Sequence, residues 1–415
     1  MERIKWIALF IIGIVIGGIG GYFAAPKPIE YKYRLEGEIP IGAIMSSTEW
    51  CWREDPYAIR IAEEEINAYV KTLGLPVKFV FLIENAEGSP EKALEKLTTL
   101  AAKGCKVVIG LRFSSHVKAI KGYADEHHIV IISSGSSSPL LAIPNDFIFR
   151  LPCTDAMTFK ALRKHILNLG LKALIVIQRG DAWGDALFEE AKKMEAEGVI
   201  IYDHIRYDPN AKEFSAEVSR MAEKVHEAIE KYGKDKVGVV AFSFLELGTI
   251  ISQAAHYPEL LSVQWMGNDE KTGIETEVGE YLIKTKAIFP MFAVPTTTTI
   301  YQRFASEFLK RSGLPKVTGY NAMAYDAAWL AAKAVLEAGV YDGDAIKKAL
   351  PKVAETYFGA SGLCALNENG DREVMDYDIW AVVKEKGTYV WKAVGYYNSI
   401  TDTITWYYTN YTTPP

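Results

Sequence analysis

The sequence holds little cysteine and little histidine, four and seven among 415 residues, and neither type clusters. Cys51, Cys105, Cys153 and Cys364 form no CxxC pair and have no histidine at ligand spacing. That argues against a zinc site or a vicinal redox dithiol. The expectation is buried thiols, with a single disulfide as the alternative outside the cell. HExxH is missing, and so are GxSxG, GxxxxGK[ST] and a strand-borne GxGxxG in the globular body. Metalloprotease, esterase-type, P-loop and dinucleotide chemistry lose their usual carriers. No enzyme activity, metal or cofactor is expected, and His127-His128 reads as charge at a helix end. A basic surplus is absent too. The net charge is −6, and residues 1–34 carry five Lys/Arg against two Glu, so the remainder carries −9. An acidic body without a basic stripe is a poor partner for nucleic acid.

What is present is ordinary globular composition, 49% hydrophobic and 24% charged, on a chain long enough for two lobes. One long apolar run exists, Trp6–Ala25, preceded by Arg3 and Lys5. Twenty helical residues span about 30 Å, the thickness of a hydrocarbon core. The positive flank predicts a cytoplasmic N-terminus and an exported body. Cleavage after Ala24 or Ala25 would put Tyr22 or Phe23 where a signal peptidase needs a small residue, so an uncleaved anchor at residues 6–25 is expected.

From residue 38 short apolar runs alternate with amphipathic stretches. Strands are expected at Ile39–Met45, Val77–Ile83, Val107–Gly110, Ile129–Ser133, Ala173–Gln178, Ile200–Arg206 and Val237–Phe242. Helices are expected near Pro56–Leu73, Pro90–Lys103, Ser115–His127, Trp183–Glu197 and Glu213–Tyr232. Continuously apolar short strands suit parallel sheets covered on both faces. Two such blocks, meeting near Phe149–Thr154, predict an α/β fold of two doubly wound lobes.

Ligands of such sheets sit beyond the carboxyl ends of the strands. Four segments lie there. Gly110–Ser115 and Ser133–Ser138 offer hydroxyls and free amides suited to a carboxylate, or else plain helix caps. Trp265–Asp269, after the apolar run Leu260–Val263, offers an acid for an ammonium or a turn-forming Asp. Trp50, Trp52, Trp183 and Phe244 are aromatic, able to wall a pocket or simply to pack.

The order of several segments resembles the leucine/isoleucine/valine-binding protein family, over roughly residues 38–395. They are Ile41-Gly-Ala-Ile, Ala62–Asn67, Val108-Ile-Gly with Ser114-Ser115, Ile131–Pro139, Phe149-Arg150 and Trp183-Gly184. Phe214-Ser215, Met266–Asp269, Tyr320–Ala327 and Asn367–Asp371 follow. The resemblance implies a type I periplasmic binding fold with a three-strand hinge. Its boundaries would be an anchor and tether over 1–34, lobe 1 over 35–152 and 294–357, lobe 2 over 153–293 and 358–400, and a tail over 401–415. The hinge would run near Arg150–Pro152, Ile288–Pro295 and Phe358–Leu363.

The implied function is that of an extracytoplasmic solute-binding receptor of an ABC importer. It would close over an amino-acid-like ligand and dock on a membrane permease; a sensor ectodomain of the same fold is the alternative. Ser114, Ser115, Ser136 and Ser137 would serve the ligand carboxylate, and Asp269 its ammonium. Trp50, Trp183, Ser243, Phe244 and Tyr320 would line the side-chain pocket. The sequence departs from the family at Ala241–Phe244 and by carrying Asp at 269. It departs again at Arg112, a cation expected to pair with Asp269 or to meet an acidic ligand group.

Overall fold

A computed structural model describes residues 35–268 and 273–408. The first sheet is built from β1 (Gly37–Met45), β2 (Val77–Asn85), β3 (Val107–Gly110), β4 (Val130–Ser133) and β5 (Ile148–Arg150), ordered β2-β1-β3-β4-β5. All its pairings are parallel. The apolar runs explain this: β3 and β4 are buried at every residue, as strands with helices on both faces must be. The crossovers are α1 (Cys51–Thr72), α2 (Pro90–Ala102) and α3 (Ser114–Glu126). Pro90 at the first turn and the Ser89 hydroxyl accepting from Lys92 N fix the start of α2.

After α4 (Asp155–Leu169), the second sheet repeats the scheme. It contains β6 (Ala173–Arg179), β7 (Ile200–Tyr207), β8 (Val237–Phe242) and β9 (Gln264–Gly267), ordered β7-β6-β8-β9 and parallel throughout. Its helices are α5 (Ala182–Lys192), α6 (Ser215–Tyr232), α7 (Leu247–Ala254), α8 (Pro258–Ser262) and α9 (Glu275–Lys284). The run Leu260–Val263, expected before the third strand-end segment, is not a strand. Pro258 starts a helical turn there, and the strand begins at Gln264. A parallel bridge between Met266 and Ile288 carries the sheet on to β10 (Phe289–Phe292).

The chain then forms α10 (Thr299–Ser312), α11 (Gly319–Ala338) and α12 (Gly343–Thr356). Helix α11 is apolar on most sides and accordingly buried, packed against α1 and α12. Next comes a hairpin of β11 (Phe358–Gly359) and β12 (Gly362–Leu363). The antiparallel strands β13 (Tyr377–Glu385), β14 (Thr388–Asn398) and β15 (Thr403–Trp406) then add to β10 in the order β10-β13-β14-β15. Residues expected as tail thus supply an edge strand.

Phe358–Leu363, expected as a hinge strand, folds back on itself. Asp326 on α11, fully buried, accepts from Tyr357 Oη at 3.1 Å, Ala360 N at 2.8 Å, and Ser361 N and Oγ at 2.7 and 2.6 Å. The segment that meets the crossover lies further on. Arg150 N donates to Gly370 O and Arg372 N to Arg150 O, both at 2.9 Å. Here Arg150 and Asp371 form a buried two-pronged ion pair, Nε to Oδ1 at 2.5 Å and an Nη to Oδ2 at 2.8 Å.

The expected anchor at residues 6–25 lies outside the described residues. Among those described, no helix is long and apolar enough to cross a membrane. The four cysteines are free and buried, so no described pair forms the alternative disulfide.

Candidate functional site

Beyond the carboxyl ends of both parallel sheets lies one cavity of about 160 Å³. A water needs only about 10–15 Å³ of such space, so the cavity is large enough for a small solute. Its walls come from loops that strand ends place there: Trp50 after β1, Arg112–Ser114 after β3, Gly135 and Ser137 after β4. The second sheet contributes Trp183 after β6 and Phe244-Leu245 after β8, while Met291, Thr318 and Tyr320 close the remaining side.

The first serine loop leaves β3 through two left-handed residues, Gly110 (φ 97°) and Leu111 (φ 52°). A side chain at Gly110 would put Cβ 2.5 Å from Ile44 O, so only glycine fits. Leu111 is held in its uncommon conformation by Leu111 N to Ile44 O at 2.8 Å and Ser133 Oγ to Leu111 O at 2.9 Å. This turn delivers Ser114 to the start of α3. That helix has no side-chain cap, its N-cap being Phe113, so its first amides are open to an anion.

The second serine loop folds onto the first. Ser133 Oγ accepts from Ser136 N at 2.9 Å, Ser114 Oγ lies 3.0 Å from Ser136 Oγ, and Ser138 N donates to Ser114 Oγ at 3.3 Å. Gly135 permits this closeness, since a Cβ there would lie 2.7 Å from Arg112 Cβ. Ser137 reaches across to α4, donating to Asp155 Oδ2 at 2.7 Å. Ser136 is therefore a structural link behind the cavity wall, and Ser115 and Ser243 are likewise absent from the walls.

Four aromatic rings from both sheets meet at the site. Phe113 stacks on Phe244 at 5.4 Å, Trp50 lies 5.5 Å from Phe113, and Trp183 lies 4.8 Å from Phe244. Arg179 covers Phe244 at 4.0 Å and is itself paired with Asp181 at 2.6 Å and with Glu246. Asp181 caps α5, accepting from Trp183 N at 3.0 Å and Gly184 N at 2.9 Å, and so sets Trp183 in place. Trp52, expected beside Trp50, is 41% exposed and no part of the walls.

Among the described residues, outside which Asp269 lies, Arg112 pairs with an acid that the sequence did not point to. Its guanidinium is buried and hydrogen-bonds Asp55 of α1, with Glu54 at 3.8 Å and the rings of Trp50 and Tyr320 at 5.3 and 4.9 Å. Asn321 Nδ2 donates to Glu54 Oε2 at 3.1 Å and to Asp55 Oδ1 at 3.3 Å. Thr318 and Asn321 form a capping box that opens α11 and brings Tyr320 to the cavity. Burial drives the Asp55 carboxyl up to about 6 against the pull of Arg112.

The structure thus gathers Trp50, Arg112, Ser114, Ser137, Trp183, Phe244 and Tyr320 around one space, while Asp269 lies outside the described residues. Sequence reasoning missed Glu54, Phe113, Leu245, Met291 and Thr318. Only Thr318 carried a signal, the Thr-x-x-Asn spacing of a capping box.

Residues 56–385 match the receptor family ligand binding region. The chain belongs to that family. An uncharacterized protein of Methanocaldococcus jannaschii is 33% identical over 374 residues, covering 85% of this chain and 87% of the relative. A leucine binding protein from Thermotoga maritima superposes with a TM-score of 0.70 at 20% identity, over 86% of this chain and 97% of that one. An ABC transporter solute binding protein from R. palustris, in complex with benzoate, gives 0.66 at 19% identity, over 86% and 96%. This member of the receptor family has the two-lobe type I periplasmic binding fold, whose structural neighbours include leucine and branched-chain amino acid binding proteins. The resemblance read from the ordered sequence segments is borne out.

Proposed function

We propose that the protein is the solute-binding receptor of an ABC importer, taking a small amino-acid-like carboxylate between two lobes. The observation that carries the reading is the cavity shared by both sheets, where an uncapped helix start meets an apolar, largely aromatic enclosure. The open amides of α3 and Ser114 receive the carboxylate, and the rings of Trp50, Trp183, Phe244 and Tyr320 enclose the body of the ligand. Asp269, as the resemblance implies, contributes an acid from the opposite lip.

Lobe 1 comprises 35–152 and 294–371, with the β11–β12 hairpin held on α11, and lobe 2 comprises 153–293 and 377–406. The lobes rotate about Arg150–Pro152, Ile288–Pro295 and the segment near Arg372–Asp376, and closure buries the ligand. Residues 6–25 hold the receptor at the cell membrane with its globular part outside the cytoplasm, and the closed form docks on the permease.

A thermal-shift screen tests the reading, using amino acids, short peptides, amides, nucleobases and aromatic carboxylates. A true ligand at 100 times its dissociation constant adds about 2.7 kcal/mol of stability. A screen in which no amino acid or related carboxylate raises the melting temperature rejects it.

A further inference from the structure

The wall of the cavity formed by α1 and the β3 loop holds two groups without a protein hydrogen-bond partner, one sealed from solvent and one open to it. One is a donor. Arg112 Nε is buried and has no acceptor, although the same guanidinium bonds Asp55 through an Nη. The other is an acceptor. Glu54 Oε2 takes the Asn321 amide, while Oε1 receives no hydrogen bond from any described residue. Glu54 is the one carboxylate among the described residues that line the cavity.

Charge points the same way. The Arg112 cation is matched at contact distance by Asp55, which is itself fully buried. Glu54 stands 3.8 Å from the guanidinium, beyond hydrogen-bond reach, and its side chain is 22% exposed. With Arg112 and Asp55 cancelling, this wall carries the negative charge of Glu54. A ligand with only a carboxylate would satisfy the amides of α3 but would meet Glu54 as a like charge. A ligand with an ammonium as well brings Glu54 an opposite charge and a donor for Oε1.

We infer that Glu54 is the acceptor for the ligand's cationic group, and that Asp55, by neutralising Arg112, leaves Glu54 available for it. The site therefore selects zwitterions over plain carboxylates from lobe 1 itself, whatever Asp269 adds from lobe 2. The inference rests on the proposed solute-binding role and names its ligand class.

Calorimetric titration of the full-length protein tests it. The probes are the twenty L-amino acids and deaminated counterparts such as 4-methylpentanoate for leucine and 3-phenylpropanoate for phenylalanine. The wild type is expected to prefer the amino acid. Glu54→Gln keeps the shape and the Asn321 contact, and is expected to lose about thirtyfold or more of amino-acid affinity, roughly 2 kcal/mol at 1.4 kcal/mol per tenfold. Affinity for the deaminated acid is expected to stay or rise, so the preference collapses. Glu54→Lys should reverse it. An unchanged melting temperature of each unliganded variant reports intact folding. A Glu54→Gln protein that binds the amino acid within about threefold of wild type (roughly 0.6 kcal/mol) overturns the assignment while leaving the solute-binding role standing. So does a wild type that prefers the deaminated acid. A wild type that binds neither class removes both.

Discussion

Phe113 and Phe244 stack with ring centroids 5.4 Å apart and planes inclined at 29°, one ring carried by the loop after β3 and the other by the loop after β8. The two parallel sheets therefore touch through their strand-end loops beside the cavity. Phe244 also contacts Trp50 and Trp183 and lies beneath Arg179. Phe244→Ala is expected to weaken ligand binding by about 2–3 kcal/mol, since it removes a cavity wall together with three aromatic contacts. The dissociation constant from titration checks this, and an unchanged value would show that the ring cluster is packing alone.

Arg150 and Asp371 offer a test of the crossover. Both are 1% exposed and their pairing is two-pronged, so removing one partner strands a buried charge. Asp371→Ala is expected to cost about 3–5 kcal/mol in urea denaturation, while a double replacement by apolar residues of similar volume should recover most of it. Equal losses in single and double variants would contradict this.

The alternation of strands and helices is readable because strands such as β3, β4 and β8 are short, almost wholly apolar and buried at every residue. Val107–Gly110 and Val237–Phe242 match their expected limits. Leu260–Val263 reads only as an apolar run because four apolar residues do not separate helix from strand, and Pro258 is the discriminating signal. Site residues were harder. Ser115, Ser136 and Ser243 share composition with Ser114 and Ser137, and only the fold of the loops decides which of them reach the cavity. The Arg112–Asp55 pair joins residues 57 positions apart and has no local pattern. In Tyr320–Ala327 and Asn367–Asp371 the acids serve the fold: Asp326 holds the β11–β12 turn, and Asp371 holds Arg150.

His165 sets an acid limit on stability. It is buried beside Gln264, at 3.1 Å, and burial pushes its pKa down to about 3. An unfolded histidine titrates near 6.5, so between those values the unfolded chain binds the extra proton and stability falls as the pH is lowered. From pH 6.5 to 4.5 the wild type is expected to lose roughly 2–3 kcal/mol more than His165→Gln. Urea denaturation at the two pH values measures the difference, and parallel losses would contradict it.

The cysteines should be inert. Burial raises the thiols of Cys51, Cys153 and Cys364 to about 12 and that of Cys105 to about 11, so little thiolate forms at neutral pH. A disulfide reagent at pH 8 is expected to label none of the four in the folded protein and all of them in denaturant. Rapid native labelling of any one would contradict this.

The most direct test of the account is a crystal structure grown with the ligand that a binding screen selects. The account predicts ligand density among Trp50, Trp183, Phe244 and Tyr320, its carboxylate at the amides opening α3 and its ammonium at Glu54. Ligand density in the separate cleft lined by Pro295, Gly362 and Asp376, with the aromatic cavity holding only water, would contradict it.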